Sequence, residues 1–193
     1  MSKRIALFSA AALGALALTT AVVAPVSAQD KMKSEMSGEK TVMVGGAAMF
    51  PSKNIIQNAV NSKDHTTLVA AVKAAGLVDT LEGKGPFTVF APTNTAFGKL
   101  PAGTVDTLVK PENKATLTKI LTYHVVPGKL EAADLKDGQT LKTVEGEQLT
   151  VKREGKNVMI VDAKGGTSMV TIPNVNQSNG VIHVVDTVLM PAS

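Results

Sequence analysis

The sequence predicts an α+β domain in which helices come first along the chain and strands come later. Apolar residues recur at helical spacing between about residues 52 and 123. They then alternate, or run continuously, in short strand-like segments up to about residue 190. Because the two kinds of segment do not alternate regularly, a parallel β/α architecture is not expected. The pattern indicates one domain, at residues 47–191.

The first 28 residues have the pattern of a signal peptide. Two basic residues precede an almost wholly apolar run, Ile5 to Ala24, and Val26-Ser27-Ala28 is a small-x-small cleavage site. An uncleaved membrane anchor is the alternative, because the apolar run is about 20 residues long. We expect cleavage after Ala28, no membrane span afterwards, and a flexible tether over residues 29–46.

Composition and charge exclude several function classes. Removal of residues 1–28 takes away two basic residues and no acidic one, so the formal net charge falls from +4 to +2. With 3% aromatic residues and no long basic run, nucleic-acid binding has little support and is not expected. The chain has no cysteine, which excludes disulfides, thiolate nucleophiles and sulfur-ligated metals.

The helical part contains several short segments. Ser52 is expected to cap the first helix, and Asp64 the second, which Gly76 ends. Pro111 begins a further helix that runs towards Tyr123, since proline is favoured in a first helical turn.

The later part contains strands. “QLTVKR” alternates apolar and polar residues, “EGKN” predicts a turn, and “VMIVD” returns, so residues 148–162 predict a β-hairpin. The stretch “GVIHVVDTVLM”, residues 180–190, is apolar on both faces and predicts a strand buried between two layers.

Residues 85–97, “GPFTVFAPTNTAF”, combine a short strand with the start of a short helix. We interpret their side chains as structural: Phe87, Val89 and Phe90 form strand core, Pro92 ends the strand, and Thr93 or Asn94 caps the helix.

The segment “LTYHVVPG”, residues 121–128, places the only tyrosine beside one of three histidines. His124 continues the apolar face of the preceding helix, so we interpret it as a core side chain with satisfied hydrogen bonds that organises the local fold. Tyr123 lies at the edge of that face. It is expected to be half-buried, with its hydroxyl at the surface where a partner can contact it.

The other two histidines give no support for catalysis. His65 follows a predicted cap and is expected to be exposed, whereas His183 is expected to be packed inside a strand. The sequence has no H-x-H or H-x-x-x-H spacing and no G-x-S-x-G motif. We therefore expect no metal, no cofactor and no enzyme activity.

Three ordered motifs resemble those of the fasciclin domain family. Residues 85–97 resemble its first signature segment, residues 179–191 (“NGVIHVVDTVLMP”) its second, and residues 121–128 its tyrosine–histidine motif. Residues 67–83 are also similar to the helical segment that precedes the first signature. The resemblance, which extends to small bacterial secreted single-domain members, implies a wedge-shaped β-sandwich with helices packed along one side.

The resemblance also implies a function. Members of this family are implicated in cell adhesion and in matrix or surface interactions, and they are not generally enzymatic. We therefore expect a monomer, periplasmic or secreted, with a cell-surface or matrix protein or glycan as partner. By the same resemblance the candidate binding residues are Tyr123 and His124, flanked by Val125 and Val126. The alternative is a carrier of a small hydrophobic ligand between sheet and helices, which the apolar content permits.

Overall fold

The structure is a computed structural model that describes residues 40–192. The predicted signal peptide, and the predicted tether as far as residue 39, lie outside these residues. Within the described part of the chain, no helix has both the length and the apolar character needed to cross a bilayer.

Six helices and nine strands make up the described residues. The helices are α1 (Ile55–Ala59), α2 (Thr66–Ala75), α3 (Val78–Glu82), α4 (Asn94–Gly98), α5 (Thr104–Leu108) and α6 (Lys114–Tyr123). Single 3₁₀ turns, Lys63–His65 and Pro111–Asn113, precede α2 and α6. The strands are β1 (Val42–Val44), β2 (Ala47–Met49), β3 (Phe87–Pro92), β4 (Val125–Pro127), β5 (Thr140–Lys142), β6 (Gln148–Glu154), β7 (Asn157–Val161), β8 (Thr167–Gln177) and β9 (Gly180–Val185).

Seven strands form one bent sheet in the order β4-β3-β9-β8-β7-β6-β5. Neighbouring strands are antiparallel except β3 and β9, which are parallel. The long strand β8 pairs with β7 through its first residues and with β9 through the rest, and register shifts in the second part let it bend. The Val144 N–H donates to the Val125 carbonyl at 2.8 Å, so the two edges of the sheet almost meet. The predicted α+β class, with helices on one side, is confirmed.

Two hydrophobic cores lie on the two faces of the central strands. Val89 and Ala91 of β3 contact the helices in the first core, which also contains residues of α1, α2, α3 and α6. Phe90 points the other way, into a second core that the wrapped sheet encloses. Alternation along β3 therefore places each neighbouring side chain in a different core, as strand geometry requires. The hairpin predicted at residues 148–162 is confirmed as β6 and β7.

Asn179, in the turn before β9, ties the helices to the sheet. Its amide nitrogen donates to the carbonyls of Leu81 at 2.7 Å and Gly83 at 2.9 Å. Its amide oxygen accepts the N–H of Ile55 at 3.1 Å. One buried side chain thus satisfies backbone groups at the start of α1 and the end of α3, groups that helix termini leave unpaired.

The domain begins earlier than the sequence predicts. Residues 42–44, expected to belong to a flexible tether, form β1 and pair with β2, and Val44 is buried in the first core. Gly45 and Gly46 between the two strands have positive φ angles, +58° and +76°, which glycine adopts at little cost. The two glycines therefore make a hairpin turn and are part of the domain.

Two of the predicted helix caps are also wrong. Asn54 caps α1 in place of Ser52: its side-chain oxygen accepts the Gln57 N–H at 2.8 Å, and the Gln57 side chain accepts the Asn54 N–H at 3.1 Å. Asp64 lies in the 3₁₀ turn before α2 and is not its cap.

Gly180 lies where the backbone of β9 comes close to that of β3. A Cβ at this position would lie 2.9 Å from the backbone nitrogen of Phe87 on the paired strand. We expect Gly180→Ala to lower the free energy of unfolding by about 2–3 kcal/mol, because the two backbones must separate. Urea denaturation measures it. Gly98→Ala is the matched control, since its Cβ would meet nothing within 4 Å. Equal stability of the two variants would contradict the close contact.

Candidate functional site

The tyrosine–histidine segment forms the junction between α6 and β4. The helix ends at Tyr123, and His124 (φ −81°, ψ −4°) is its last turn residue, with its N–H donating to the Leu121 carbonyl at 3.1 Å. The His124 carbonyl then accepts the Phe90 N–H of β3 at 2.9 Å, which extends the pairing of β3 with β4. The segment therefore joins a helix of the first core to the edge of the sheet.

Both ring nitrogens of His124 are bonded to the backbone. Nδ1 lies 2.8 Å from the Ile120 carbonyl and donates to it, while Nε2 accepts the Leu189 N–H at 3.0 Å. A neutral ring protonated at Nδ1 satisfies both bonds. Burial lowers the pKa of His124 to about 4, so this ring is neutral near pH 7. The imidazole links α6 to the C-terminal segment, as the structural interpretation of this residue expects.

Tyr123 is fully buried, so the expectation of a half-buried side chain with a surface hydroxyl is wrong. The wrapped sheet covers the edge of the α6 stripe and places this ring in the second core. Its hydroxyl donates to the Gln148 carbonyl at 3.2 Å and accepts the Ala163 N–H at 2.9 Å. Burial raises the pKa of the Tyr123 phenol. Since the hydroxyl bonds two backbone groups, neither of them from His124, the pair is not a catalytic dyad.

Val125 and Val126 are buried as well, one in each core. All four candidate binding residues therefore have side chains that lie inside the domain. A partner cannot contact these side chains in this conformation.

His183 is packed inside β9, as the sequence predicts. Its ring stacks on Phe90 with 5.7 Å between ring centroids. Nδ1 accepts the Asn174 N–H at 3.3 Å, and Nε2 donates to the Leu130 carbonyl at 2.8 Å. Burial lowers the pKa of His183. Like His124, this is a neutral imidazole that bridges two backbone groups.

His65 is buried, although its position in the sequence predicts exposure; only 3% of its surface is accessible. The β1–β2 hairpin reaches this turn, and the Gly45 carbonyl accepts the N–H of Lys63 at 3.2 Å. The pattern of apolar residues around His65 does not indicate a contact with this hairpin, so the burial of His65 could not be predicted from the sequence. His65 Nδ1 lies 2.9 Å from Ser62 Oγ, and its ring lines an apolar cavity of about 40 Å³ together with His124.

The residues of the first signature segment have structural contacts. Thr93 caps α4, since its hydroxyl accepts the Ala96 N–H at 3.2 Å, and Pro92 is the last residue of β3. Asn94 satisfies the start of a different helix, α2, because its side-chain oxygen accepts the Thr67 N–H at 3.0 Å. Its amide nitrogen also donates to the Lys63 carbonyl at 2.8 Å. Asn94 thus caps α2 from a distant part of the chain.

The described residues contain no group of three or more His, Asp or Glu side chains placed to hold a metal ion. Each of the buried phenol and imidazole groups at residues 123, 124 and 183 is occupied by backbone hydrogen bonds. The arrangement can hold elements of the fold together; it has no free nucleophile or base within it.

Replacing His124 should destabilise the domain strongly. His124→Ala leaves the Ile120 carbonyl and the Leu189 N–H buried without partners, so we expect a loss of about 3 kcal/mol in the free energy of unfolding. Tyr123→Phe removes only a hydroxyl and should cost about 1–2 kcal/mol. Thermal and urea denaturation measure both. Lys156→Ala, in an exposed turn, is the control and should change stability by less than about 0.5 kcal/mol.

The buried histidines should make stability depend on pH. Folding lowers their pKa values below 6.5, the ordinary pKa of histidine. Above pH 6.5 these imidazoles are therefore neutral in both the folded and the unfolded chain. Below it the unfolded chain binds protons that the folded chain rejects, and stability falls with pH. For His124 the loss grows until about pH 4 and reaches about 3 kcal/mol. Denaturation between pH 7 and pH 5 should show this slope, and His124→Gln should reduce it; an unchanged slope would contradict the assignment.

Comparison with known proteins places these motifs in a family. A sequence model of the fasciclin domain matches residues 63–191. Protein sll1483 of Synechocystis is 50% identical over 154 residues, which cover 79% of this chain and 82% of that protein. The cell surface glycolipoprotein MPB83 of Mycobacterium bovis is 39% identical over 153 residues, 77% of this chain and 64% of that protein.

The fold is also similar to a solved structure. The FAS1 domain pair of the insect cell adhesion molecule fasciclin I superposes with a TM-score of 0.65 at 20% identity. The match covers 73% of this chain and 52% of that chain, so this chain spans about half of the pair. At this identity the likeness shows the fold alone. From the match to the family model and the identity to these relatives, this chain belongs to the fasciclin domain family.

Proposed function

We propose that this chain is an exported, non-enzymatic domain that acts by binding a cell-surface or matrix partner, either a protein or a glycan. Its relationship to a cell surface glycolipoprotein carries the proposal, because identity of 39% over 77% of this chain links it to a protein of the cell exterior. In the proposal, residues 1–28 direct export and are removed, and the remaining domain works as a monomer in the periplasm or outside the cell.

The contacts of the tyrosine–histidine segment support binding through the solvent-exposed surface of the domain. The Tyr123 hydroxyl and both nitrogens of His124 are bonded to backbone groups inside the domain. A group that is already bonded and buried cannot bind a partner without breaking those bonds, at a cost of about 1–3 kcal/mol for each unpaired group. Binding through exposed residues avoids this cost.

Within residues 40–192, four large apolar side chains are exposed and are candidate contact residues. They are Met43 (59% accessible), Val60 (48%), Val144 (44%) and Met169 (40%). Exposed apolar side chains gain free energy when a partner covers them, at about 25 cal/mol for each Å² removed from water. Methionine adapts its shape to different partners, which suits Met43 and Met169 to this purpose.

A cell-binding experiment tests the proposal. The domain from residue 29 onwards, carrying a fluorescent label, is added to intact cells of the producing species. We expect saturable binding that unlabelled domain displaces. Serine variants of the four exposed residues should each retain the stability of the wild type, and at least one should weaken binding about tenfold, as loss of an interface contact does. Lys156→Ala is the matched control for an exposed residue outside this set.

The competing functions give different results. Binding that does not saturate, from a domain shown to be folded by circular dichroism, would contradict a specific surface partner. Turnover of a substrate that depends on Tyr123 or His124 would contradict the non-enzymatic proposal, since both side chains are assigned structural contacts.

A further inference from the structure

Asn179 and Gly180 form the only Asn–Gly sequence in the chain. In an unfolded chain this pair is well placed to lose the asparagine side-chain amide, because glycine has no Cβ to keep its nitrogen away from the preceding side chain. In the folded chain the Asn179 side chain is buried between the helices and the sheet. The reactivity of this pair therefore depends on whether the chain is folded.

The reaction begins when the backbone nitrogen of Gly180 attacks Cγ of Asn179. A bond forms between the Gly180 nitrogen and Cγ, the bond between Cγ and Nδ2 breaks, and the amide leaves as ammonia with the proton of the Gly180 N–H. Water then opens the resulting five-membered imide at either carbonyl. One opening leaves aspartate at position 179. The other leaves isoaspartate, in which the main chain passes through the side-chain carboxyl group. Water is the only co-reactant, and nothing is oxidised or reduced.

The fold holds the side chain of Asn179 away from this path. Nδ2 donates to the carbonyls of Leu81 at 2.7 Å and Gly83 at 2.9 Å, and Oδ1 accepts the Ile55 N–H at 3.1 Å. The amide group is thus fixed against the ends of two helices. Three hydrogen bonds must break before Cγ can turn towards the following peptide bond.

The backbone on both sides of the reacting bond is fixed as well. Gly180 is paired with Gln177 on β8 and with Phe87 on β3. The Phe87 N–H also donates to the Asn179 carbonyl at 3.0 Å. The Gly180 nitrogen reaches Cγ only when this backbone rotates, which breaks the pairing of β9 at its first residue. In the folded chain the reaction therefore requires local unfolding of the turn.

Neither product fits the place of Asn179. Aspartate has no N–H to donate at neutral pH, so the carbonyls of Leu81 and Gly83 lose their partner and face a carboxylate. Isoaspartate adds one carbon to the main chain directly before Gly180, where space is short: a Cβ on Gly180 would lie 2.9 Å from the Phe87 nitrogen. Since this turn begins β9, either product opposes the pairing of β9 with β3.

We propose that Asn179–Gly180 is a modification site that reacts with water while the chain is unfolded and is protected once the chain has folded. The modification is one-way, because ammonia is lost to the solvent, and its products are excluded from the fold. The site therefore limits the time for which an unfolded chain stays able to fold. It is independent of the proposed surface binding, which is a property of the folded domain.

Peptide mapping by mass spectrometry tests the proposal. The chain from residue 29 onwards is incubated at mildly alkaline pH, either folded or unfolded in guanidinium chloride, and loss of the amide is measured at every asparagine. In the unfolded chain we expect Asn179 to react faster than any other asparagine. In the folded chain its rate should be at least about a hundredfold lower, because only the transiently opened state reacts.

Two variants separate the effect of the sequence from the effect of the fold. Gly180→Ala places a Cβ beside the attacking nitrogen and should slow the reaction at Asn179 about tenfold in guanidinium chloride, where folded stability has no influence. Ala102→Asn creates a second Asn–Gly sequence in an exposed turn before α5. The amide at position 102 should be lost from the folded chain at a rate within about tenfold of its rate in the unfolded chain.

Refolding tests whether the products are excluded from the fold. Samples taken during the unfolded incubation are diluted into buffer, and circular dichroism measures the folded fraction. We expect this fraction to fall in step with the remaining Asn179 amide. Asn179→Asp should lower the ratio of folded to unfolded chain at least about tenfold, as measured by urea denaturation, because two buried carbonyls lose their donor. A complete failure of this variant to fold is the same result in stronger form.

Any one of three results would overturn the proposal. The first is a similar rate of amide loss at Asn179 in the folded and the unfolded chain. The second is a slower loss at Asn179 than at Asn61, which precedes a serine, in the unfolded chain. The third is a chain that has lost the Asn179 amide and still refolds with the stability of the wild type.

Discussion

The parallel pairing of β3 with β9 is the contact on which the rest of the structure depends. Six residue pairs join the two strands, from Phe87 with Gly180 to Pro92 with Val185, although three helices and five strands lie between them in the chain. Closing so long a loop costs conformational entropy before any contact repays it. Both faces of the pair are covered, one by each hydrophobic core. The pairing is therefore stable only when both cores assemble, which makes the two cores one cooperative unit.

Buried imidazoles fix the elements around this pair. A neutral histidine offers one donor and one acceptor, and it can therefore join two backbone groups that belong to different elements. His124 joins the end of α6 to the C-terminal segment, and His183 joins β8 to the segment after β4. Burial disfavours the charged form of these imidazoles and so lowers their pKa values. The rings are therefore neutral, which leaves each with the one donor and one acceptor that its two hydrogen bonds require. The tyrosine–histidine motif acts here as a structural link between the cores.

The sequence predicted the elements whose pattern is local and failed where contacts come from distant residues. The β6–β7 hairpin and the doubly buried β9 follow from alternation and from continuous apolar residues. The β1–β2 hairpin was missed because its strands have only three residues each and its turn glycines resemble a linker. His65 was predicted to be exposed and Tyr123 to be half-buried, and both predictions are wrong. The hairpin and the wrapped sheet that cover these side chains leave no signal in the neighbouring sequence. Asn94 is an example of a contact that local patterns do not predict, because it caps a helix that precedes it by about 30 residues.

A motif whose polar atoms all bond the backbone identifies a fold without selecting a partner. Tyr123 and His124 are of this kind, so the chemistry that distinguishes this chain must come from groups that the fold leaves free. Among the described residues, the exposed apolar side chains of Met43, Val60, Val144 and Met169 are such groups. None of them belongs to β3 or β9. Their binding properties can therefore change while the paired strands stay intact.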